Sequence, residues 1–208
     1  MTPTSDVDRV AAPPPTADSR TRILDAAVEC LVEEGFSAAT TLRIQARAGI
    51  SRGRLLHWFP SREALLLAAA EYLADQRIRE TVERIDTHLS ADVPGPARVA
   101  QVVEFMWLTF HEPHFWAAME IWTAARTNDR IAAALLPAER RLGGVIRAGV
   151  DRMWGPELAG HPRYPQLREM LVTSMRGAAL TYSFDHRDPR RDPHLAAWTD
   201  VARVLLEI

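Results

Sequence analysis

The sequence predicts an all-α protein: an N-terminal three-helix helix-turn-helix head, joined by a long helix to a C-terminal helical body. Three observations predict it. Apolar residues recur at helical spacing along nearly the whole chain, with no alternating strand pattern and no repeat of fixed period. Pro and Gly gather at a few places and cut the chain into helix-length pieces. Between Glu34 and Glu63 there is no acidic residue, but there are five arginines, Arg43, Arg47, Arg52, Arg54 and Arg62, in a chain of formal net charge −2. Such a local basic island is the electrostatic footprint of a surface that meets phosphates.

Residues 1–17 hold Pro3, Pro13, Pro14 and Pro15 among small polar residues and read as a disordered arm, either solvated or touching DNA through Arg9. The first helix runs from a cap at Asp18 or Ser19 to Glu34, where Gly35 stops it. Ile23, Ala27, Cys30 and Leu31 face its core, with Cys30 read as a buried thiol in preference to a redox sensor. Thr40 caps a second helix, Thr41–Ala48, whose apolar positions are Thr41, Leu42, Ile44 and Ala48. Gly49 follows as the left-handed residue that ends it. Ser51 caps a third helix, Arg52–Trp58, with Leu55 and Phe59 on its inner face. Helix, tight turn and helix make the helix-turn-helix unit. Gly53 weakens the third helix, but lets its backbone approach a duplex closely.

Pro60 and Ser61 close the head and cap a fourth helix that reaches about Leu89. Its apolar stripe is Leu66, Ala70, Leu73, Ile78, Val82, Ile85 and Leu89, and its polar face carries Glu71, Asp75, Arg79, Glu80 and Glu83. Residues 90–96 are a Pro-Gly-Pro break. A helix over 97–110 is apolar nearly all round and is expected to be buried. Pro113 opens a helix over 114–127, with Phe115, Met119 and Trp122 along one face. Asp129 caps a helix over 130–153, which Pro137 and Gly143-Gly144 should kink or interrupt. A loop over 155–165 precedes helices over 166–185 and 194–208. The expected units are therefore the arm 1–17, the head 18–66 and the body 67–208.

One cysteine excludes an intrachain disulfide. No apolar run approaches a membrane span and the N-terminus has no signal-peptide core, so a cytoplasmic protein is expected. Every basic side chain apart from histidine is Arg, which suits bidentate phosphate contacts. Gly49-Ile50-Ser51-Arg52-Gly53 spells the hydrolase nucleophile elbow, but that turn needs a strand before its serine, and a helix precedes this one. His111-Glu112-Pro113-His114 has a metal-site look, yet Pro113 breaks the helix that would align the histidines and no third ligand is near in sequence. No metal or cofactor is expected.

Arg22-Ile23-Leu24, Ala26-Ala27, Glu34-Gly35-Phe36, Thr40, Ile44, Ala48-Gly49-Ile50-Ser51, Gly53, Leu55, His57, Phe59, Ser61-Arg62-Glu63 and Leu65 resemble the DNA-binding domain of TetR-family transcriptional regulators, without gaps over about residues 20–66. Gln45 departs from the family's usual alanine, and Leu56 from a tyrosine whose hydroxyl typically reaches a phosphate. Trp58, where His or Tyr is common, offers an indole N–H as partial replacement. The resemblance implies a ligand-responsive regulator, a repressor that binds a palindromic double-stranded operator as a homodimer and is released by a small, mostly apolar effector. The DNA-binding residues it implies are Thr40, Ser51, Arg52, Gly53, Arg54, Leu56, His57, Trp58 and Arg62.

In the body, the aromatic and Met-rich stretch around Trp107, Trp116 and Trp122 reads either as filled core or as an apolar effector cavity. The resemblance favours the cavity, with Trp107, Phe110, His114, Met119, Trp122, Arg126, Met175 and Arg176 as its candidates. The last two helices read as interior packing or, as the resemblance implies, as a dimer interface through Met175, Ala178, Tyr182, Trp198, Val201 and Leu205. The rival reading is a helical enzyme or carrier that uses the aromatic body. The basic island and the missing catalytic constellation stand against it. A partner-binding module with a degenerate head is the third reading.

Overall fold

Gly35 is where the first helix turns. In the computed structural model, which describes residues 17–88, 95–185 and 187–208, α1 spans Ala17–Ala38 but leaves helical geometry at Gly35, at φ 78° and ψ 172°. The expected stop at this glycine is thus a kink with one more turn beyond it. α2 is Thr41–Ala48, and the Thr40 hydroxyl accepts the Arg43 N–H at 3.3 Å to cap it. Gly49 closes α2 in the left-handed region, at φ 61° and ψ 40°. α3 is Arg52–Trp58, and Ser51 Oγ accepts the Arg54 N–H at 3.3 Å. Ile23, Leu31, Ile44, Leu55 and Phe59 fill the space between the three helices. Leu42 does not: it stands 73% exposed on α2. Cys30 is fully buried, and burial pushes its thiol pKa up, away from the reactive thiolate.

α4, Arg62–His88, starts on a Ser61 cap and sends Leu65, Leu66, Ala69, Ala70 and Leu73 into the core. Arg9, Leu89 and the linker around Pro94, on which the sequence raised expectations, lie outside the described residues. The body consists of α5 (Gly95–Thr109), α6 (Pro113–Ala125), α7 (Asp129–Ala159), α8 (Tyr164–Thr181) and α9 (His194–Leu206), with a 3₁₀ turn at Pro189–Arg191 before α9. α4 lies along α7, α5 packs on α9 and α7, and α6 leans on α1, so a single apolar core runs from the head into the body.

Several expected boundaries move for identifiable reasons. α5 is not buried all round: Val99, Val102, Val103, Met106 and Trp107 face inward while Gln101 and Glu104 are exposed. Asn128, not Asp129, caps α7, because its Oδ1 accepts both the Arg130 and the Ile131 N–H. Pro137 and Gly143-Gly144 do not interrupt α7. The break falls at Gly155, at φ 79° and ψ 162°. Pro156 disfavours helical geometry in the residue before it, and at positive φ glycine is the unstrained choice. The Arg98 guanidinium lies against this break and donates from Nε to the Met153 carbonyl at 2.7 Å. Helix then continues to Ala159, which shortens the expected loop, and α8 ends at Thr181, short of Asp185.

Candidate functional site

The head presents α3 outward. Arg52, Gly53, Leu56 and His57 are exposed, Arg54 and Trp58 half-buried, and nothing lies within 4 Å of a side chain that would replace the Gly53 hydrogen. Thr40 and Ser51 are exposed caps, each hydroxyl accepting one backbone N–H and keeping its own proton to donate. Ser51 therefore caps a helix that follows another helix, and is no nucleophile elbow. Helix starts expose unpaired N–H groups as well, which adds to the pull on a phosphate.

Two expected contacts are corrected. Arg62 is turned inward: its Nε donates to the Ala39 carbonyl at 3.0 Å, its Nη2 donates to the Phe36 carbonyl, and its guanidinium lies 4.8 Å from the centre of the Phe36 ring. It fastens the start of α4 to the turn between α1 and α2. The Trp58 indole Nε1 is buried without a partner, so it does not replace the missing tyrosine hydroxyl at the surface.

The island that is free of acids in sequence is not free of them in space. α1 brings Glu29, Glu33 and Glu34 against α2. Arg43 pairs with Glu34, while Arg47 Nη2 reaches Glu33 at 2.5 Å and Glu34 at 3.5 Å. The Arg47 hydrogen bond holds the Glu33 carboxyl below the ordinary carboxylate range. Arg43, Arg47 and Arg62 are engaged within the protein, while Arg52 stands exposed at the start of α3.

The body encloses a cavity of about 480 Å³ between α4 and α8. Phe110, His114, Met119, Trp122 and Arg176 line it, as expected. Trp107, Arg126 and Met175 do not. Trp107 is locked in the core, its Nε1 donating to the Pro189 carbonyl at 2.9 Å and its ring 4.9 Å from that of Trp198. Arg126 is exposed at the end of α6, and Met175 is fully buried in the core. Phe105 of α5, part of the aromatic stretch, lines the cavity, and so do Arg77 and Glu80 of α4 and Glu139 of α7, which the sequence reading did not place there. The Glu80 carboxylate, on the polar face of α4, pairs with His114 Nδ1 at 2.9 Å and ties α4 to α6. His111 meets Trp107 edge to face with ring centres 4.5 Å apart, so the two histidines serve different partners.

α6 also touches the head directly. Glu120 Oε2 accepts the Phe36 N–H at 2.7 Å, just past the Gly35 kink. On the outer side of α8 and α9, Phe184 is 84%, Val204 73% and Val201 39% exposed. Ala178, Tyr182 and Leu205 are half-buried. Met175 and Trp198 are corrected as interface candidates, since both are buried inside the protomer, with Trp198 Nε1 donating to Ser174 Oγ at 3.0 Å. Among the described residues, no helix is long and apolar enough to cross a membrane.

Residues 23–69 match the model for bacterial regulatory proteins of the tetR family. An HTH-type transcriptional repressor of Mycobacterium tuberculosis is 32% identical over 130 residues, which are 55% of this chain and 65% of that protein, so the chain spans just under two thirds of that relative. The HTH-type transcriptional repressor AcnR of Corynebacterium glutamicum is 41% identical over 145 residues, 69% of this chain and 70% of that protein. GusR of Salmonella enterica superposes with a TM-score of 0.63 at 20% identity, covering 97% of this chain and all of that one (100%). Bacillus subtilis FadR, solved with stearoyl-CoA, gives a TM-score of 0.56 at 16% identity, over 89% of this chain and 97% of that one. The two structural likenesses speak for the fold alone.

Proposed function

Since the chain belongs to the tetR family of bacterial transcriptional regulators, we propose that it is a repressor that binds a palindromic operator as a homodimer and is released by a small, mostly apolar effector in the body cavity. The observation that carries this reading is the connectivity of α4. One helix begins at Arg62, which holds the head together, and places Arg77 and Glu80 in the cavity wall. In the docking proposed here, α3 enters the major groove. Gly53 allows the close approach, Arg54 and His57 reach base edges, Leu56 meets a thymine methyl, and Arg52 and the Thr40 hydroxyl hold phosphates.

Selection of DNA from a random pool, followed by mobility shifts on the selected site, tests this. A palindrome is expected. With Arg52 from each of two protomers neutralising a phosphate, log K should fall against log salt with a slope of roughly −2. A flat salt response removes the phosphate-binding role. A slope near −7 would mean that Arg43, Arg47 and Arg62 leave their internal partners on DNA.

The exposed apolar residues on α8 and α9 support a second copy packing there, with Val201 and Val204 at its centre and Leu180 and Phe184 beside them. Light scattering at micromolar concentration is expected to give a dimer for the wild type. Val204→Arg should give a folded monomer, because the new charge would be buried without a partner only in the dimer. A monomeric wild type contradicts this part of the reading.

A further inference from the structure

The cavity wall is largely apolar, yet it holds four guanidiniums, those of Arg77, Arg140, Arg147 and Arg176, against three carboxylates, those of Glu80, Glu112 and Glu139. Arg77 comes off the stripe of α4 that also holds Leu66, Ala70 and Leu73, so helical geometry carries its guanidinium inward with them. Among the described residues it makes no hydrogen bond and no ion pair. Burial lowers its pKa, and Arg176 lowers it further, while Glu139 and Glu80 act the other way. Of these carboxylates, Glu80 is already held by His114 at 2.9 Å. Arg176 itself lies over Trp122, with its Cζ 5.0 Å from the ring centre. The Trp122 indole Nε1 is buried and has no acceptor. Two guanidiniums that oppose each other's charge, beside an unmet N–H donor, are costly in an apolar wall unless an acceptor carrying negative charge joins them.

We infer that the effector is an amphipathic organic anion, a carboxylate or an anion of like size, whose head binds Arg77 and Arg176 and whose apolar body lies against Phe105, Phe110, Phe115 and Met119. This rests on the reading of the cavity as the effector site. Its apolar length and its single charged head follow from the wall: aromatic and Met side chains fill one part, and the guanidiniums of Arg77 and Arg176 mark another. A cation of the same shape would meet Arg77 and Arg176 as like charges.

The test uses the full-length protein and three probes with one tail and different heads: decanoate, decan-1-ol and decyltrimethylammonium. Their affinities are read by calorimetry, and the neutral dye Nile red reports separately whether an apolar cavity accepts ligands. Decanoate should bind roughly ten- to hundredfold more tightly than the alcohol, the range of a charge-assisted hydrogen-bonded pair, and the ammonium should bind most weakly. Arg77→Met should bring decanoate down to the affinity of the alcohol and leave the alcohol unchanged. If that variant fails to fold, the ranking of heads on the wild type decides alone. Nile red binding with no preference for the anion overturns the inference and leaves the cavity reading standing. Absence of Nile red binding overturns the cavity reading itself.

Discussion

Gly53→Glu is expected to abolish operator binding while leaving the protein slightly more stable. The free protein offers no obstacle, because nothing lies within 4 Å of the position a side chain would take. Removing a helical glycine stabilises by roughly 0.5–1 kcal/mol, and a carboxylate in the first turn of α3 complements the helix dipole by about 0.3–1 kcal/mol more. On DNA the same carboxylate would lie among phosphates at the closest point of approach. A single like-charge contact at about 4 Å costs about 4 kcal/mol at the effective dielectric constant of about 20 typical near a protein surface, so a loss of roughly a hundredfold or more follows. Thermal melting and a mobility shift on one preparation check both halves. Arg62→Ala serves as the contrasting control. It strips the Phe36 and Ala39 carbonyls of their donor, so folding stability should fall by about 2–4 kcal/mol, with DNA binding lost as a consequence. Wild-type affinity in Gly53→Glu would show that α3 does not dock by its Gly53 face.

What could be read from the sequence divides along the range of the interactions. Caps and turns are local, and Thr40, Ser51, Ser61 and Gly49 do what their residue types announce. Asn128 lost to Asp129 only because two capping residues stand side by side. Arg62 shows the limit. Its position at a helix start suits a phosphate, but its partners are carbonyls 23 and 26 residues away, which no local pattern displays. The acid-free island fails for the same reason, since the acids that neutralise Arg43 and Arg47 arrive from α1 by packing. Arg77 was within reach of the helical period, which puts it four residues after Leu73 on the buried stripe, and only its charge argued otherwise. α9 carries two apolar stripes. Trp198, Ala202 and Leu206 face inward, whereas Val201 and Val204 face outward. Periodicity finds both and cannot say which one belongs to the protein's own core.

Operator DNA is expected to weaken effector binding by the same factor by which effector weakens operator binding, typically about 5–150-fold. Two physical links run from the cavity to the head. α4 is the direct one, from Arg77 and Glu80 down to Arg62. The other is α6, which puts His114, Met119 and Trp122 in the cavity wall and, next to Met119, sets Glu120 against the Phe36 N–H at 2.7 Å. The two links meet at both ends. The His114–Glu80 pair joins them at the cavity, and Phe36 joins them at the head, its N–H held from α6 and its carbonyl from Arg62. A ligand that separates α4 from α6 therefore moves both supports of the α1–α2 turn, and with it the separation of the two α3 helices in a dimer. Half-sites lie about 34–36 Å apart, so a shift of a few ångströms is enough to break the fit. Glu120→Ala tests the second link. Ligand affinity without DNA should stay near wild type, because Glu120 is not in the cavity wall, while the coupling factor falls toward one. The measurement is a ligand titration by tryptophan quenching, with and without operator, on both proteins. Unchanged coupling in Glu120→Ala would leave α4 as the sole route. Equal ligand affinity with and without operator in the wild type would mean that the bound compound is not the effector, or that the body does not sense.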